Sequence, residues 1–169
     1  MAARLRDPAS PAIVATATYP APTLEKHPMT DWDPEAFTRM LVEDMHAHGG
    51  AVTQGPLAGQ PLLILTTRGA KSGEPRIAIL TYTRDGNDYV VAGSKGGAPT
   101  DPFWYRNLIA NPEAHVEAGG REFDVRATVT QAAERDGLWD AHVAALPAFA
   151  EYPEKSGRVI PMIRLTPIS

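Results

Sequence analysis

Pro61-Leu62-Leu63-Ile64-Leu65-Thr66-Thr67-Arg68, then Gly69-Ala70-Lys71-Ser72-Gly73-Glu74-Pro75, then Arg76-Ile77-Ala78-Ile79-Leu80-Thr81-Tyr82-Thr83-Arg84 follow one another in mid-chain, and their reading decides the fold. The outer pieces are apolar and β-branched, and the middle piece is rich in glycine, serine and proline, which end strands and build turns. Asp85-Gly86-Asn87 has the chemistry of a hairpin turn, so Asp88–Ser94 returns as a third strand.

Working outward, Lys95-Gly96-Gly97-Ala98-Pro99 reads as a glycine-rich loop. A short helix is expected from Pro102 to Ala110, stopped by Asn111-Pro112. Glu113–Ala118 and Arg121–Thr130 alternate polar and apolar around Gly119-Gly120, as half-buried antiparallel strands do. Thr130 is expected to cap a helix running to Leu146, and Val159–Leu165 reads as the last strand. Upstream, Asp33-Pro34 opens a helix whose stripe of Phe37, Met40, Leu41 and Met45 ends at Gly49-Gly50, before a polar linker over 51–60. Helices lie between hairpins, so parallel βαβ winding does not fit. The expectation is an α+β protein, mainly β: a small antiparallel barrel with flanking helices.

Residues 1–30 are punctuated by Pro8, Pro11, Pro20, Pro22 and Pro28 and show no helical period, which predicts an extended or flexible arm. Residues 31–169 form the domain. The chain has 169 residues, a size suited to one core, and no cysteine, so disulfides, thiolate nucleophiles and cysteine-bound metals are excluded. No apolar run reaches the roughly 20 residues of a membrane-spanning helix, no leader pattern follows Met1, and the cytoplasm is the expected compartment. Peripheral membrane contact has no support in the sequence.

Net charge is −4 with 16 basic and 20 acidic groups, which argues against nucleic acid as a partner. Residues 61–110 nevertheless carry 6 basic and 4 acidic groups, a basic island suited to a local anion site. His46 and His48 stand two residues apart on a helix, so their side chains diverge, and no metal site is expected. There is no phosphate loop ending in Gly-Lys-Ser/Thr, no nucleophile elbow and no dinucleotide-binding glycine fingerprint.

Two segments carry chemistry that turns alone do not need. The 69–75 loop sets Arg68, Lys71 and Arg76 beside the Ser72 hydroxyl and exposed amides, a cradle for phosphate or carboxylate. Taken alone, it equally fits a solvated basic hairpin. Ala92-Gly93-Ser94-Lys95-Gly96-Gly97, with Phe103-Trp104-Tyr105-Arg106-Asn107 after it, offers close backbone approach, hydrogen-bonding side chains and flat apolar walls. Together they suggest a planar heterocycle with a charged tail.

At these residues the sequence resembles the deazaflavin-dependent nitroreductase and quinone reductase family, which has a split β-barrel fold. The resemblance lies in Leu65–Arg76, Arg84-Asp85-Gly86, Gly93–Ala98 and Pro102–Pro112, four motifs in order, and covers about 60–169. It implies binding of 8-hydroxy-5-deazaflavin coenzyme (factor 420), a hydride carrier with a phosphate-bearing, acidic tail. Lys71, Ser72 and Arg76 would hold the phosphate, with the Ala70 amide. Ile77, Ala78, Ile79, Leu80 and Thr81 would run beside the ring, and Ala92, Gly93, Ser94 and Lys95 would meet its opposite edge. Phe103, Trp104, Tyr105 and Asn107 would close the pocket, with Phe149 lining it. Tyr152 and Ser94 are the candidate proton donors.

The expected reaction is hydride transfer from the reduced coenzyme to a small acceptor: a quinone, a nitro compound or an activated alkene. Where members of the nitroimidazole-reducing type carry a tyrosine cluster, this chain has Leu146, Phe149 and Tyr152. Two alternatives stand beside this reading: a riboflavin-phosphate oxidoreductase of the same fold, and a non-catalytic deazaflavin-binding protein. Monomer and homodimer both remain open.

Overall fold

The computed structural model describes residues 34–55 and 57–168. The expected arm over 1–30 and the Asp33 cap lie outside that range. In chain order the elements are α1 (Pro34–Ala47), β1 (Leu62–Arg68), β2 (Pro75–Thr81), β3 (Thr83–Asp85), β4 (Asp88–Ala92), α2 (Phe103–Ala110), β5 (Glu113–Ala118), β6 (Arg121–Val129), α3 (Ala132–Ala145), α4 (Tyr152–Ser156) and β7 (Met162–Pro167). Short 3-10 turns occupy Lys95–Gly97 and Pro147–Glu151.

All seven strands join one antiparallel sheet in the order β2-β1-β5-β6-β7-β4-β3. The two outermost strands, β2 and β3, are consecutive in the chain and separated only by Tyr82. One length of backbone therefore serves both edges, and the sheet must curl round to let it. This is the expected barrel, split along one seam.

Strand alternation sorts the apolar side chains into an inside and an outside. Leu63, Leu65, Ala78, Leu80, Tyr89, Val91, Ile163 and Leu165 fill the interior with Trp104 and Leu108 of α2, which plugs one end. Leu62, Ile64, Ile77 and Ile79 point outward beneath Leu41, Val42 and Met45 of α1. Val90, Ala92 and Met162 point outward beneath Leu138 of α3, with Leu146 and Phe149. Because β1 and β2 are buried on both faces, their sequences read as continuous apolar runs.

The 51–60 linker is anchored rather than loose. Val52 and Leu57 are buried under α1, and Asp44 accepts from both the amide (2.7 Å) and hydroxyl (2.9 Å) of Thr53. The two glycine pairs, each read as a simple breaker, pack on one another. A Cβ on Gly50 would stand 2.7 Å from the amide nitrogen of Gly119.

Three expectations need correction. Arg76–Arg84 is not one strand paired along a single partner: the Tyr82 amide still donates to Pro61 O (3.0 Å), while Thr83 pairs with Val90 across β4. Thr130 does not cap α3, because its amide (3.0 Å) and its hydroxyl (2.9 Å) both donate to Met162 O and Gln131 takes the cap position. The last strand starts at Met162, not Val159, because Pro161 has no amide to donate and the Ile160 carbonyl is held by Arg135 at 3.0 and 2.7 Å. Among the described residues no helix is long and apolar enough to cross a membrane.

Gly49→Ala and Gly50→Ala separate conformational cost from contact cost. Both positions have positive φ, +65° and +97°, but only Gly50 faces backbone across the interface. Gly49→Ala should cost about 1 kcal/mol and Gly50→Ala roughly 2 kcal/mol or more, read by thermal unfolding. Equal losses would show that the glycine-to-glycine contact contributes nothing.

Candidate functional site

The first site element is the turn between β1 and β2. The Gly69 amide donates to Glu74 O (2.8 Å) and the Gly73 amide to Gly69 O (2.9 Å), with Gly73 at φ +74°. The Ser72 hydroxyl folds over the turn, accepting from the Glu74 amide at 3.1 Å; a Cβ on Gly69 would sit 2.7 Å from it. Lys71 and Ser72 are exposed, while Arg76 is half-buried at the mouth of the barrel.

Asn107 ties this turn to α2. Its side-chain amide accepts from the Ala70 N–H at 2.9 Å and donates to Thr67 Oγ1 at 3.0 Å, while the residue itself is buried. The Ala70 amide expected for the phosphate is thus already engaged, and Asn107 acts as a strut beneath the turn.

The second element follows from the split at Tyr82. The β3–β4 hairpin is zipped over Thr83↔Val90, Arg84↔Tyr89 and Asp85↔Asp88 only. Continuing that register would set Thr81 opposite Ala92 and Ile79 opposite Ser94. Instead β2 turns away to pair with β1, and β4 pairs with β7. The segments 77–81 and 91–95 are therefore the two lips of one hairpin that its own ladder leaves unzipped. The ring residues expected from the sequence, Ile77 to Thr81 and Ala92 to Lys95, fall one group on each lip. Alternation refines that assignment: Ile77 and Ile79 face α1, whereas Ala78 and Leu80 face the barrel interior.

Beyond the second lip, Ser94 is fully buried and Lys95 adopts φ +50°. A lysine there is strained, and such conformations persist only where surrounding contacts over-determine them. The Lys95 ammonium donates to Thr100 Oγ1 at 3.1 Å. The strongest restraint comes from Arg158, which sequence reading did not single out. It donates to the carbonyls of Ala98 (3.2 Å), Gly93 (3.0 Å), Ser94 (3.2 Å) and Thr100 (2.9 Å), and to the Asp101 carboxylate (3.0 Å). Of the expected aromatic wall, Trp104 lies inside the barrel core at 1% exposure, and Phe103 and Tyr105 pack at its margin.

The third element is the wall formed after α3. The Phe149 ring meets His142 edge-on at 4.6 Å and Tyr152 at 5.0 Å. Tyr152 packs on the glycine loop, where a Cβ on Gly97 would come within 3.2 Å of its ring. Burial, then the nearby Glu151, raises the Tyr152 phenol above its ordinary value, so it keeps its proton at neutral pH. His142 is wholly buried, its Nδ1 3.0 Å from Thr83 Oγ1, and desolvation lowers its pKa to about 4. It was unassigned in sequence reading, where it is one of several scattered histidines. His46 and His48 are engaged with Glu117 and Asp44 at 2.6 and 2.8 Å.

Residues 37–167 match the profile described as F420H(2)-dependent quinone reductase. The chain belongs to that family. A Mycobacterium tuberculosis protein named F420H(2)-dependent quinone reductase is 39% identical over 109 residues, covering 63% of this chain and 73% of that protein. A solved F420-H2 dependent reductase, FDR-A, is similar in fold, with TM-score 0.58, 38% identity, and coverage of 62% of this chain and 93% of that one. A further solved chain, described as a domain-swapped dimer, shows TM-score 0.60 and 34% identity over 79% of this chain and 99% of its own. Family membership makes this protein an oxidoreductase whose cofactor is F420 and whose reaction is hydride transfer from the reduced coenzyme to a quinone-type acceptor. The riboflavin-phosphate and non-catalytic alternatives give way to it.

The residues present fit that cofactor on an independent observation. Among the described residues, four buried side-chain polar atoms lack a hydrogen-bond partner: Arg76 Nη1, Thr81 Oγ1, Ser94 Oγ and His142 Nε2. Buried polar atoms are normally satisfied. Three of these four belong to the cationic turn and the two lips, where a polar ligand would meet them.

Two variants test the supports. Asn107→Ala leaves the Ala70 amide and the Thr67 hydroxyl without their partner and should cost roughly 1–3 kcal/mol. Faster amide exchange at Ala70 should accompany the loss; unchanged exchange would mean Asn107 is not the strut. His142 makes stability depend on acidity. Below about pH 6.5 the unfolded chain takes up a proton that the native imidazole refuses until about 4. Its contribution is therefore full above 6.5 and lost as pH falls toward 4, by up to about 3 kcal/mol. A melting-temperature series should show the decline, and His142→Asn should flatten it over that window.

Proposed function

We propose that the split seam of the barrel binds reduced factor 420 with its acidic tail at the β1–β2 turn and its ring between the two lips. The observation that carries the reading is an unzipped hairpin whose two lips hold the partnerless buried hydroxyls of Thr81 and Ser94, with the partnerless Arg76 Nη1 at the cationic turn. Lys71 and Arg76 supply charge to the phosphate, and Ser72 a hydroxyl. The Ala70 amide joins them only on leaving Asn107. Backbone of β2, chiefly Ile79 to Thr81, and of Ala92 to Lys95 holds the ring between two edges. Gly93 lets the lip lie close on Pro161, whose Cγ a Cβ there would meet at 2.9 Å.

When bound, the reduced coenzyme supplies a hydride, so the protein needs no acid–base dyad for the transfer itself. Its own work is orientation and exclusion of water. Tyr152, half-buried and backed by the buried Phe149 and Leu146, offers the acceptor a flat surface, which suits a quinone ring. Reduction of the quinone consumes one hydride and one proton. Ser94 and Tyr152, each neutral and mostly enclosed, are placed to hold that proton, with solvent as its source. Nitro compounds and activated alkenes are secondary acceptors in this reading, because the tyrosine cluster is reduced to Tyr152. Homodimer formation is supported by the 34%-identical dimeric neighbour. A cytoplasmic setting is supported by the multiply charged tail of the hydride donor, which does not cross a bilayer unaided.

Lys71→Ala tests the reading at its most exposed point. It should weaken coenzyme binding by about 1–3 kcal/mol, measured by quenching of deazaflavin fluorescence, because one charge-assisted hydrogen bond is lost. Melting temperature should stay within the error of measurement. Wild-type protein with reduced coenzyme and a benzoquinone or naphthoquinone should restore the oxidised coenzyme absorbance catalytically. Intact binding in Lys71→Ala would remove the turn from the site, and no turnover across a quinone series would remove the acceptor assignment.

A further inference from the structure

Resting on the proposed placement of the ring between the lips, we propose that Arg158 is the positioning residue of the second lip: by taking the carbonyls of Gly93 and Ser94 it turns the amides of Ser94 and Lys95 into the seam as a paired donor set for a ring carbonyl. Arg158 follows Gly157, which ends α4 at φ +72°, and its side chain is only 17% exposed. Its guanidinium is wrapped by the 93–101 loop, touching four carbonyls and one carboxylate.

Every peptide bond of the described chain is trans, and a trans peptide holds its C=O and N–H antiparallel. Fixing Gly93 O on Arg158 therefore aims the Ser94 amide the opposite way, and fixing Ser94 O aims the Lys95 amide likewise. The Gly93 amide donates to Pro161 O at 2.8 Å, towards β7, so the opposite side is the open seam. Neither the Ser94 nor the Lys95 amide donates to an acceptor among the described residues, and Ser94 Oγ is likewise without a partner. Three neighbouring donors thus stand without an acceptor, and the two amides among them face away from Arg158.

The strain at Lys95 fits the same account. Ser94, at φ −82° and ψ −30°, is helical and so turns the two successive amides to the same side, and the left-handed φ +50° at Lys95 that follows is held by the contacts of Arg158 together with Lys95 Nζ on Thr100. Two successive amides aimed at one point form an anion-binding concavity, the usual backbone device for a carbonyl that gains negative charge. A lysine cannot replace the arginine: an ammonium donates from one point, whereas the five contacts here are spread over Nε, Nη1 and Nη2 of a planar fork. The guanidinium also fixes positive charge directly behind the lip, on the side away from the ring.

The test compares Arg158→Ala, Arg158→Lys and Lys71→Ala by fluorescence titration with oxidised factor 420, amide exchange over 93–101 and thermal unfolding. Arg158→Ala and Arg158→Lys are expected to raise the coenzyme Kd at least tenfold and to speed exchange at Ser94 through Asp101. Guanidinium chloride at low millimolar concentration should restore binding to Arg158→Ala but not to Arg158→Lys. Lys71→Ala should raise Kd with unchanged exchange in the loop. If Arg158→Ala does not fold, Arg158→Lys carries the same test. Loose exchange with unaltered Kd, or unaltered exchange and Kd, overturns the positioning role. Failure of Lys71→Ala to weaken binding removes the cationic turn from the site, and with it the coenzyme placement this inference rests on, so the two failures are told apart.

Discussion

A backbone strand has two hydrogen-bonding edges, and β1 uses both at once, against β2 and β5; residues 75–85 instead serve β1 and β4 along successive lengths. The change of partner comes at Tyr82. Before it, β2 zips to β1 over seven pairs; after it, β3 zips to β4 over three. The β3–β4 hairpin is thereby opened at its base, and the strand lengths it leaves unzipped line a seam. Everything functional lies along that opening. The closed tip is clamped in turn: Asp85 and Asp88 stand directly opposite, a pairing of like charges that is unfavourable in a ladder. Arg164 relieves it, donating to both carboxylates at 2.8 and 2.9 Å and to Glu134 of α3 at 2.8 Å. These carboxylates, Asp88 and Asp85 first, hold the Arg164 guanidinium even more firmly protonated than usual.

Arginines stand wherever the sheet hands over to irregular backbone. Arg164 closes the hairpin tip, Arg135 holds the Ile160 carbonyl before β7, and Arg158 fills the loop after β4. All three are largely covered, with side-chain exposures of 18, 15 and 17%. A planar fork can satisfy several carbonyls that point in different directions, which neither a ladder nor a lysine can do. The irregular segments are therefore kept rigid without becoming strands, and rigidity of donors is what makes a backbone site effective before its ligand arrives.

What could be read from the sequence was what local chemistry determines. The runs around Gly69–Pro75, the glycine pairs at 49–50 and 119–120, and the proline stops all impose themselves within a few residues, and each element appeared where its residues required. The cationic turn and the glycine lip were legible because lysine, serine and glycine at those spacings serve no purely structural need. The unzipping at Tyr82 was not legible, since Thr81-Tyr82-Thr83 are all good strand residues and the break is dictated by distant partners. Nor was Trp104, whose aromatic neighbours suggested a wall: helix geometry turns it into the barrel while Phe103 and Tyr105 stay at the margin. Arg158, Arg135 and His142 leave no mark in sequence, because their value lies wholly in the carbonyls or hydroxyls that folding brings to them. Asn107 was placed at the pocket for its polarity, and folding uses that polarity to brace the pocket from below.

The wall facing the proposed acceptor shows how one constraint propagates. A phenylalanine at 142 would pack against Phe149 just as well as an imidazole, but it could not reach Thr83. Thr83 is the first residue beyond the bend, so its bond to His142 ties α3 to the point where the strand changes partners. Phe149 rests on that imidazole, Tyr152 on Phe149, and the glycine loop on Tyr152. A continuous line of contacts thus runs from one side of the opened hairpin round to the other without crossing the seam. Such a line fixes the width of the opening from outside and leaves its interior for a flat molecule. Because burial keeps His142 uncharged and Tyr152 protonated near neutral pH, the line carries no charge of its own. The electrostatic character of the seam is then set by Lys71 and Arg76 at its end and by the amides, Lys95 and Arg158 along and behind the lip, where an acid-tailed ring would present its negative atoms.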